Sequence, residues 1–193
     1  MKVGLYFGSF NPIHNGHLII AQAVQEFAKL DEVWFIVSPQ NPLKRNGSLL
    51  HEFDRFDMVK LAIDDNDRFR VSDIEFSMPR PSYTIDTLAY LKEKHKGKQF
   101  QLIIGGDNLS IFPKWKNSQK IIEEFGLIVY PRPGAKQSEL INHPNVIFIE
   151  APLLDISATF IRKCIRENRT IRYLVPGKAA EYIADRKLYQ LTQ

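Results

Sequence analysis

The sequence predicts an α/β fold in which a doubly wound parallel sheet carries a small helical cap at its C-terminal end. Five short apolar runs have the length of strands and show little of the alternation that a half-exposed strand requires. These runs cover residues 3–7, 33–37, 100–104, 127–130 and 146–149. Uninterrupted apolar runs are typical of parallel strands that helices bury on both faces.

Helical patterns lie between several of these runs, so strands and helices alternate along the chain. The apolar positions spaced for one helical face are Ile20, Val24, Phe27 and Leu30, then Phe56, Val59, Leu61 and Ile63, then Ile85, Leu88 and Leu91. Strands that alternate with helices are typical of a Rossmann-like, doubly wound sheet. Ligands of such sheets bind beyond the carboxyl ends of the strands, so we expect the site in the loops that follow the strands.

The C-terminal part of the chain has a helical pattern throughout. Ile161, Cys164 and Ile165 are spaced for one face of a helix, and a second helix is predicted near residues 179–187. A chain of 193 residues has about the length of one domain. We therefore interpret residues 155–193 as the helical part of a single domain that covers residues 1–193.

The composition limits the classes of partner. A net charge of +4 suits an anion of the size of ATP. The sequence lacks the concentrated basic run of a nucleic-acid binder, so no nucleic-acid partner is expected. Cys164 is the sole cysteine, which excludes an internal disulfide and a cysteine-rich metal site. The apolar N-terminal run is too short for a signal peptide or membrane span. We expect a cytoplasmic protein without a membrane partner, and the sequence is compatible with a homo-oligomer as well as a monomer.

The loop after the first strand, residues 8–17, reads GSFNPIHNGH. A glycine-containing turn between a strand and a helix presents backbone N–H groups and the positive end of the helix to an anion. The loop is neither a Walker loop nor a GxGxxG motif, because Gly8 and Gly16 are too far apart and no lysine follows. It is predicted to bind phosphate.

Two histidines in this loop, His14 and His17, are three residues apart on the predicted first helical turn. Both rings can donate hydrogen bonds to the charge that develops on phosphorus during phosphoryl-type transfer. A helix N-terminus favours the neutral rings and a bound triphosphate favours imidazolium, so both protonation states stay open. A metal site would need a third ligand, and no further cluster of metal-binding residues lies nearby in the sequence.

A second anion motif lies near the C-terminus, where residues 155–162 read DISATFIR. Taken alone, Ser157 and Thr159 would be a helix cap and Arg162 a solvated surface charge. Taken together, the hydroxyls of Ser157 and Thr159, the N–H groups of the helix start and the Arg162 guanidinium form an anion cradle.

These two motifs resemble the signatures of the HxGH nucleotidyltransferase superfamily, in which the second motif reads ISSTxIR. From Met1 to about Tyr189, the chain is similar to the bacterial nicotinate mononucleotide adenylyltransferases. The resemblance implies an enzyme of NAD biosynthesis that transfers AMP from ATP to nicotinate mononucleotide and releases pyrophosphate. It also implies that His14 and His17 are catalytic and stabilise the transition state without a covalent intermediate.

The resemblance further implies which residues bind ATP and its metal. The predicted set is Gly8, Ser9, Phe10, His17, Lys44, Gly105, Asp107, Arg132, Ser157, Thr159 and Arg162. The last three would hold the β- and γ-phosphates although Ala158 replaces the usual second serine. Asp107, in the GGDN segment, would bind ribose hydroxyls. Lys44 lies in NPLK where relatives carry PPHK, and a flexible surface lysine is an equally good interpretation. Mg²⁺ is the implied cofactor, carried by the ATP phosphates and water.

The implied acceptor is a pyridine mononucleotide. The residues predicted to bind it are Ser9, Phe10, Lys44, Tyr83, Thr84, Trp115 and Lys116. The segment 82–88, SYTIDTL, starts a helix whose free N–H groups can receive a carboxylate. Trp115 either stacks on the pyridine ring or covers the core, and Lys116 replaces an aromatic residue that many members of the family have.

Two other functions remain open from the sequence. The first is an adenylyltransferase with another acceptor, nicotinamide mononucleotide or phosphopantetheine. The second is a non-catalytic module that binds nucleotides or RNA, which the intact pair of His14 and His17 disfavours.

Overall fold

The computed structural model describes residues 1–39, 49–134 and 138–190. Its centre is a sheet of six parallel strands in the order β3-β2-β1-β4-β5-β6. The strands are β1 (Lys2–Gly8), β2 (Glu32–Val37), β3 (Phe69–Ser72), β4 (Gln99–Gly105), β5 (Leu127–Tyr130) and β6 (Val146–Phe148). The predicted Rossmann-like, doubly wound parallel sheet is confirmed.

Helices connect the strands and follow the last one. They are α1 (Asn15–Phe27), α2 (Glu52–Ala62), α3 (Thr84–Lys94), α4 (Gly106–Leu109), α5 (Ser118–Glu124), α6 (Ala158–Arg166) and α7 (Gly177–Asp185). Short 3₁₀-helices cover Ile74–Ser77, Phe112–Lys114 and Glu139–Asn142. No helix in the described ranges is long and apolar enough to cross a membrane.

All five predicted strands are present, each within one residue of its predicted bounds. The sequence did not reveal β3, because this four-residue edge strand, FRVS, alternates apolar and polar residues over too short a length to give a signal. The predicted α1 pattern was one turn too long. The helix ends at Phe27, and Lys29 takes a left-handed φ of 52°, so Leu30 lies outside the helix.

Two apolar clusters bury the two faces of the sheet, as the sequence predicted. Along β1, Leu5 points into one cluster and Tyr6 into the other, because successive residues of a strand face opposite sides. The Tyr6 side is covered by α1, α2, α6 and α7, and the Leu5 side by α3, α4 and α5. Each face of the sheet therefore has its own helical layer.

The C-terminal helices pack on the sheet instead of forming a separate body. Ile161 of α6 and Ile183 of α7 belong to the same apolar cluster as Tyr6. The Tyr189 hydroxyl donates to Asn11 Oδ1 at 2.9 Å, which joins the end of the described chain to the loop after β1. These contacts support the proposal of one domain.

Candidate active site

The turn after β1 places its backbone at the edge of the site and its aromatic side chain in the core. Phe10 has a φ of 43° and is 2% exposed, and its ring lies 5.1 Å from the ring of His17. A Cβ on Gly8 would lie 2.8 Å from the Phe10 ring, so only glycine fits there without a shift. Phe10 can therefore contact either predicted substrate only through its backbone.

The two motif histidines form a stacked pair at the start of α1. Their ring centroids are 3.6 Å apart, and the backbone N–H of His14 donates to Nδ1 of His17 at 3.2 Å. Because Nδ1 of His17 accepts this bond, the neutral ring carries its proton on Nε2. The structure thus brings the two predicted residues together and assigns the tautomer of His17.

Burial keeps both rings neutral in the unliganded protein. Burial, together with the nearby positive charge of Arg132, lowers the pKa of His14 from 6.5 to about 4. Burial, His14 and Arg132 lower the pKa of His17 well below its usual value. Both rings are therefore uncharged at neutral pH without ligand, and imidazolium would form only when a bound anion offsets this environment.

The shifted pKa of His14 predicts an acid-sensitive stability. An unfolded chain protonates this histidine near pH 6.5, whereas the folded chain resists protonation down to about pH 4. The free energy of unfolding therefore falls as the pH falls through this window, and the His14 share is about 2 kcal/mol at pH 5. Urea unfolding at pH 7.5 and pH 5 should show that His14→Gln loses about 2 kcal/mol less than the unsubstituted protein. Equal losses would contradict the prediction.

Arg162 connects the two anion motifs. Its Nη1 donates to the backbone carbonyl of Asn11 at 2.7 Å, and its Nη2 donates to Thr159 Oγ1 at 3.2 Å. Ser157 caps α6, since its hydroxyl accepts from the N–H of Phe160 at 3.2 Å. The interpretation of Ser157 as a cap is therefore right, but Arg162 is a half-buried link between the motifs and not merely a solvated charge.

Arg132 and Asp107 lie beyond the ends of β5 and β4, next to the histidine loop in the order of the sheet. Arg132 Nε is 4.0 Å from Asp107 Oδ1, and its guanidinium lies 5.5 Å from the ring centroid of Tyr130. A Cβ on Gly105 would collide with the Asp107 carboxylate. The predicted ATP residues of these loops thus converge on the edge that carries His14 and His17.

A cavity of about 280 Å³ opens beside this edge, on the face covered by α3 and α5. It is lined by Phe7, Gly8, Ser9, Ser38, Glu75, Ser82, Tyr83, Thr84, Asn108, Lys114, Trp115, Lys116 and Ile121. Of the predicted acceptor residues, five line this cavity. Phe10 does not, and Lys44 lies outside the described residues.

The start of α3 forms one wall of the cavity. Tyr83 takes the N-cap position without a side-chain cap, so the first N–H groups of α3 are available to an anion. Lys116 Nζ pairs with Asp86 at 2.9 Å and lies 4.3 Å from the centroid of the Tyr83 ring. Trp115 packs on Phe112, with centroids 5.4 Å apart, and also lines the cavity. Trp115 therefore covers the core, and its role in stacking on a pyridine ring stays a prediction.

The sequence did not indicate two buried charged residues that lie near the site, Glu75 and Arg55. Glu75 is 2% exposed, lines the cavity and accepts a hydrogen bond from Thr87 Oγ1 at 2.8 Å, and burial raises the pKa of its carboxyl. Arg55 is fully buried. A signal existed for Arg55, since it precedes Met58, Val59 and Ala62 at the i, i+3, i+4 and i+7 spacing of a buried face.

The described residues offer no metal cage. Across residues 1–39, 49–134 and 138–190, no group of three or more His, Cys, Asp or Glu side chains could hold a metal ion. The donors that converge here are imidazole, hydroxyl, guanidinium and backbone N–H groups, which bind phosphate oxygens. The arrangement suits a phosphorylated ligand.

Comparison with known proteins agrees with this geometry. The family model described as cytidylyltransferase-like matches residues 5–164. A probable nicotinate-nucleotide adenylyltransferase of Cytophaga hutchinsonii is 57% identical over 189 residues, which cover 98% of each chain. The chain belongs to the nicotinate-nucleotide adenylyltransferase family. A member from Flavobacterium johnsoniae, of the same name, is 48% identical over 98% of this chain and 100% of its own.

Solved structures show the same fold for this adenylyltransferase family member. Plasmodium falciparum nicotinic acid mononucleotide adenylyltransferase, complexed with NaAD, matches with a TM-score of 0.80 and 22% identity over 97% of both chains. The same enzyme complexed with APC matches with a TM-score of 0.79 and 22% identity, over 97% of this chain and 96% of the other. Membership of the family makes the chain a nucleotidyltransferase.

Proposed function

We propose that this protein transfers AMP from ATP to nicotinate mononucleotide, with release of pyrophosphate. The observation that carries the proposal is the bond from Arg162 to the Asn11 carbonyl, because it brings the Ser157–Thr159–Arg162 cradle beside His14 and His17. One motif alone would support only phosphate binding. A triphosphate needs an anion site at the β- and γ-phosphates as well as donors at the α-phosphate.

The proposed reaction is a direct displacement. A phosphate oxygen of the mononucleotide attacks the α-phosphorus of ATP, a new P–O bond forms, and the bond to the bridging oxygen of pyrophosphate breaks. His17 can donate from Nε2, and Arg132 supplies positive charge close to both histidines. These groups would stabilise the negative charge that builds up on the α-phosphate oxygens in the transition state.

The same residues fit a metal that arrives with its nucleotide. Mg²⁺ binds carboxylates, water and phosphate oxygens, and ATP supplies the last of these itself. Ser157, Thr159 and Arg162 would hold the phosphates that carry the ion. When bound, Mg²⁺ would neutralise part of the charge on the phosphates and on the leaving pyrophosphate.

The cavity beside α3 supports an acceptor with a carboxylate. The first N–H groups of α3 form the positive end of a helix, which stabilises a negative charge. Trp115 and Tyr83 supply flat aromatic surface in the same cavity. A nicotinate ring and its carboxylate match both features. A nicotinamide ring carries a neutral amide and would leave the positive end of the helix without a negative partner.

The test is a pyrophosphate-release assay with ATP, Mg²⁺ and one acceptor at a time. Nicotinate mononucleotide should give the highest kcat/KM, ahead of nicotinamide mononucleotide and phosphopantetheine. A faster rate with either of the other two acceptors would replace the proposed substrate. Binding of ATP without turnover of any acceptor would favour the non-catalytic alternative.

A substitution at Gly16 tests whether catalysis requires the histidine pair to keep its position. A Cβ at this residue would lie 3.1 Å from Nδ1 of His14, and His14 is already stacked on His17. Gly16→Ala is therefore expected to displace the His14 ring and lower kcat about 10-fold or more. Gly177→Ala at the start of α7 is the matched control, because a Cβ there meets nothing within 4 Å. Equal kcat values for the two variants would show that the ring position is not limiting.

A further inference from the structure

Arg55 of α2 holds the turns that follow β1 and β2. Its side chain is 0% exposed, and its guanidinium donates four hydrogen bonds, all to backbone carbonyls. Nε donates to Leu50 at 3.0 Å, Nη1 to Ser9 at 2.6 Å and to Ser38 at 2.8 Å, and Nη2 to Pro39 at 3.0 Å. One buried side chain thus connects the exits of two neighbouring strands to the start of α2.

Burying the Arg55 guanidinium costs desolvation free energy. Such a cost is expected only where the position of the turns matters. A buried guanidinium stays protonated, and within the described residues Arg55 is compensated by carbonyl dipoles and not by an ion pair with a carboxylate. An apolar side chain of similar volume would fill the same space without the desolvation penalty. What such a side chain could not do is bind carbonyl groups from three segments at once.

The bond to the Ser9 carbonyl fixes the direction of the next amide. The Ser9–Phe10 peptide is trans, so its C=O and N–H groups point in opposite directions. Because the Ser9 carbonyl points to Arg55, the N–H of Phe10 points away from it. Among the described residues this N–H donates to no protein acceptor, so a phosphate that reaches the turn could accept its hydrogen bond.

A second bond braces the same turn. The N–H of Ser38 donates to the carbonyl of Gly8 at 2.9 Å, while the carbonyl of Ser38 accepts from Arg55. The carbonyls of Gly8 and Ser9 are therefore both turned away from solvent, and Gly8 and Ser9 line the cavity. The turn consequently presents N–H groups, not carbonyl groups, to an anion.

We propose that Arg55 is a positioning residue for phosphate binding, which holds the Ser9–Phe10 peptide so that the Phe10 N–H donates to a nucleotide phosphate. The inference rests on the proposed function only in taking that phosphate to belong to a substrate. The buried positive charge of Arg55 adds a favourable electrostatic potential beneath the turn. Arg55 itself does not touch the ligand.

The first experiment uses the unsubstituted protein and inorganic pyrophosphate with Mg²⁺. In a ¹⁵N-labelled sample, the Phe10 amide resonance is expected to shift downfield on titration, because its N–H gains a charged acceptor. An unchanged Phe10 resonance at saturating pyrophosphate would overturn the proposal. This readout does not depend on turnover, so it separates a failure of this proposal from a failure of the proposed adenylyl transfer.

The second experiment compares two Arg→Lys variants. Arg55→Lys keeps the charge but cannot reach four carbonyls with one ammonium group, whereas Arg70→Lys changes an exposed residue of β3 that pairs with Glu32. We expect the dissociation constant for pyrophosphate to rise about 10-fold in Arg55→Lys and to stay unchanged in Arg70→Lys. The Phe10 shift should be lost only in the first variant.

A purely structural role predicts a different pattern. In that case Arg55→Lys would lose thermal stability, but its folded fraction would bind pyrophosphate with the original affinity and the Phe10 shift would persist. This pattern would overturn the proposal. If Arg55→Lys does not fold, the titration of the unsubstituted protein decides, together with Arg55→Ala in the presence of methylguanidinium, which should restore binding where ammonium does not.

Discussion

Replacing either His14 or His17 by alanine is expected to lower kcat about 10³-fold while KM for both substrates changes little. The stacked rings lie beside the positive charge of Arg132 and are neutral without ligand, so they contribute little attraction to a ground-state phosphate. Their hydrogen bonds gain strength only when charge develops on the α-phosphate oxygens. Steady-state pyrophosphate release with ATP and nicotinate mononucleotide would measure the effect.

His143→Ala is the matched control for the histidine variants, because this residue lies near the amino end of β6, away from the carboxyl edge of the sheet. It removes the same side chain without touching the proposed site. A change confined to KM in the His14 and His17 variants would mean that the pair only binds substrate. A control variant as inactive as the other two would show that the loss is not specific to the pair.

Arg162→Ala is expected to lower kcat/KM for ATP about 10²-fold or more. The substitution removes a charge from the proposed triphosphate cradle and also the bond to the Asn11 carbonyl, which joins the cradle to the histidine loop. Both KM for ATP and kcat should therefore change, unlike in the histidine variants. Initial rates at varied ATP concentration would separate the two parameters.

Arg169→Ala controls for the loss of one positive charge from the same region. Arg169 is exposed and pairs with Glu167 just after α6, so its removal leaves the Arg162 contacts intact. We expect kcat/KM of this variant to stay within about two-fold of the original value, as exposed ion pairs contribute little. Equal effects of the two substitutions would attribute the result to net charge and not to the cradle.

The sequence-based prediction was most accurate for features that depend on neighbouring residues. Buried parallel strands are apolar runs, so five of the six strands in the described ranges were located from such runs, and β3 was missed because four residues at an edge carry too little pattern. A helix start within residues 82–88 and the Ser157 cap were predicted from local chemistry in the same way, and the structure begins α3 at Thr84.

The sequence indicated the motifs of the proposed site but not the buried residues that support them. His14, His17 and Arg162 belong to recognisable motifs, whereas Arg55 and Glu75 lie in segments whose charged residues look alike in sequence. Which of these charges is buried depends on what packs against the segment. The spacing of Arg55 with Met58 was a usable signal, and Glu75 had none beyond its apolar neighbours.

The residue order alone was enough to predict a phosphate-binding loop, a second anion motif and an alternating α/β pattern, because each depends on residues that are close together in the chain. Tertiary structure was needed to join Arg162 to Asn11, to set the neutral state of the histidines and to turn the Ser9 carbonyl towards Arg55. The physical reason is that hydrogen-bond partners distant in sequence and the exclusion of water exist only after the chain has folded.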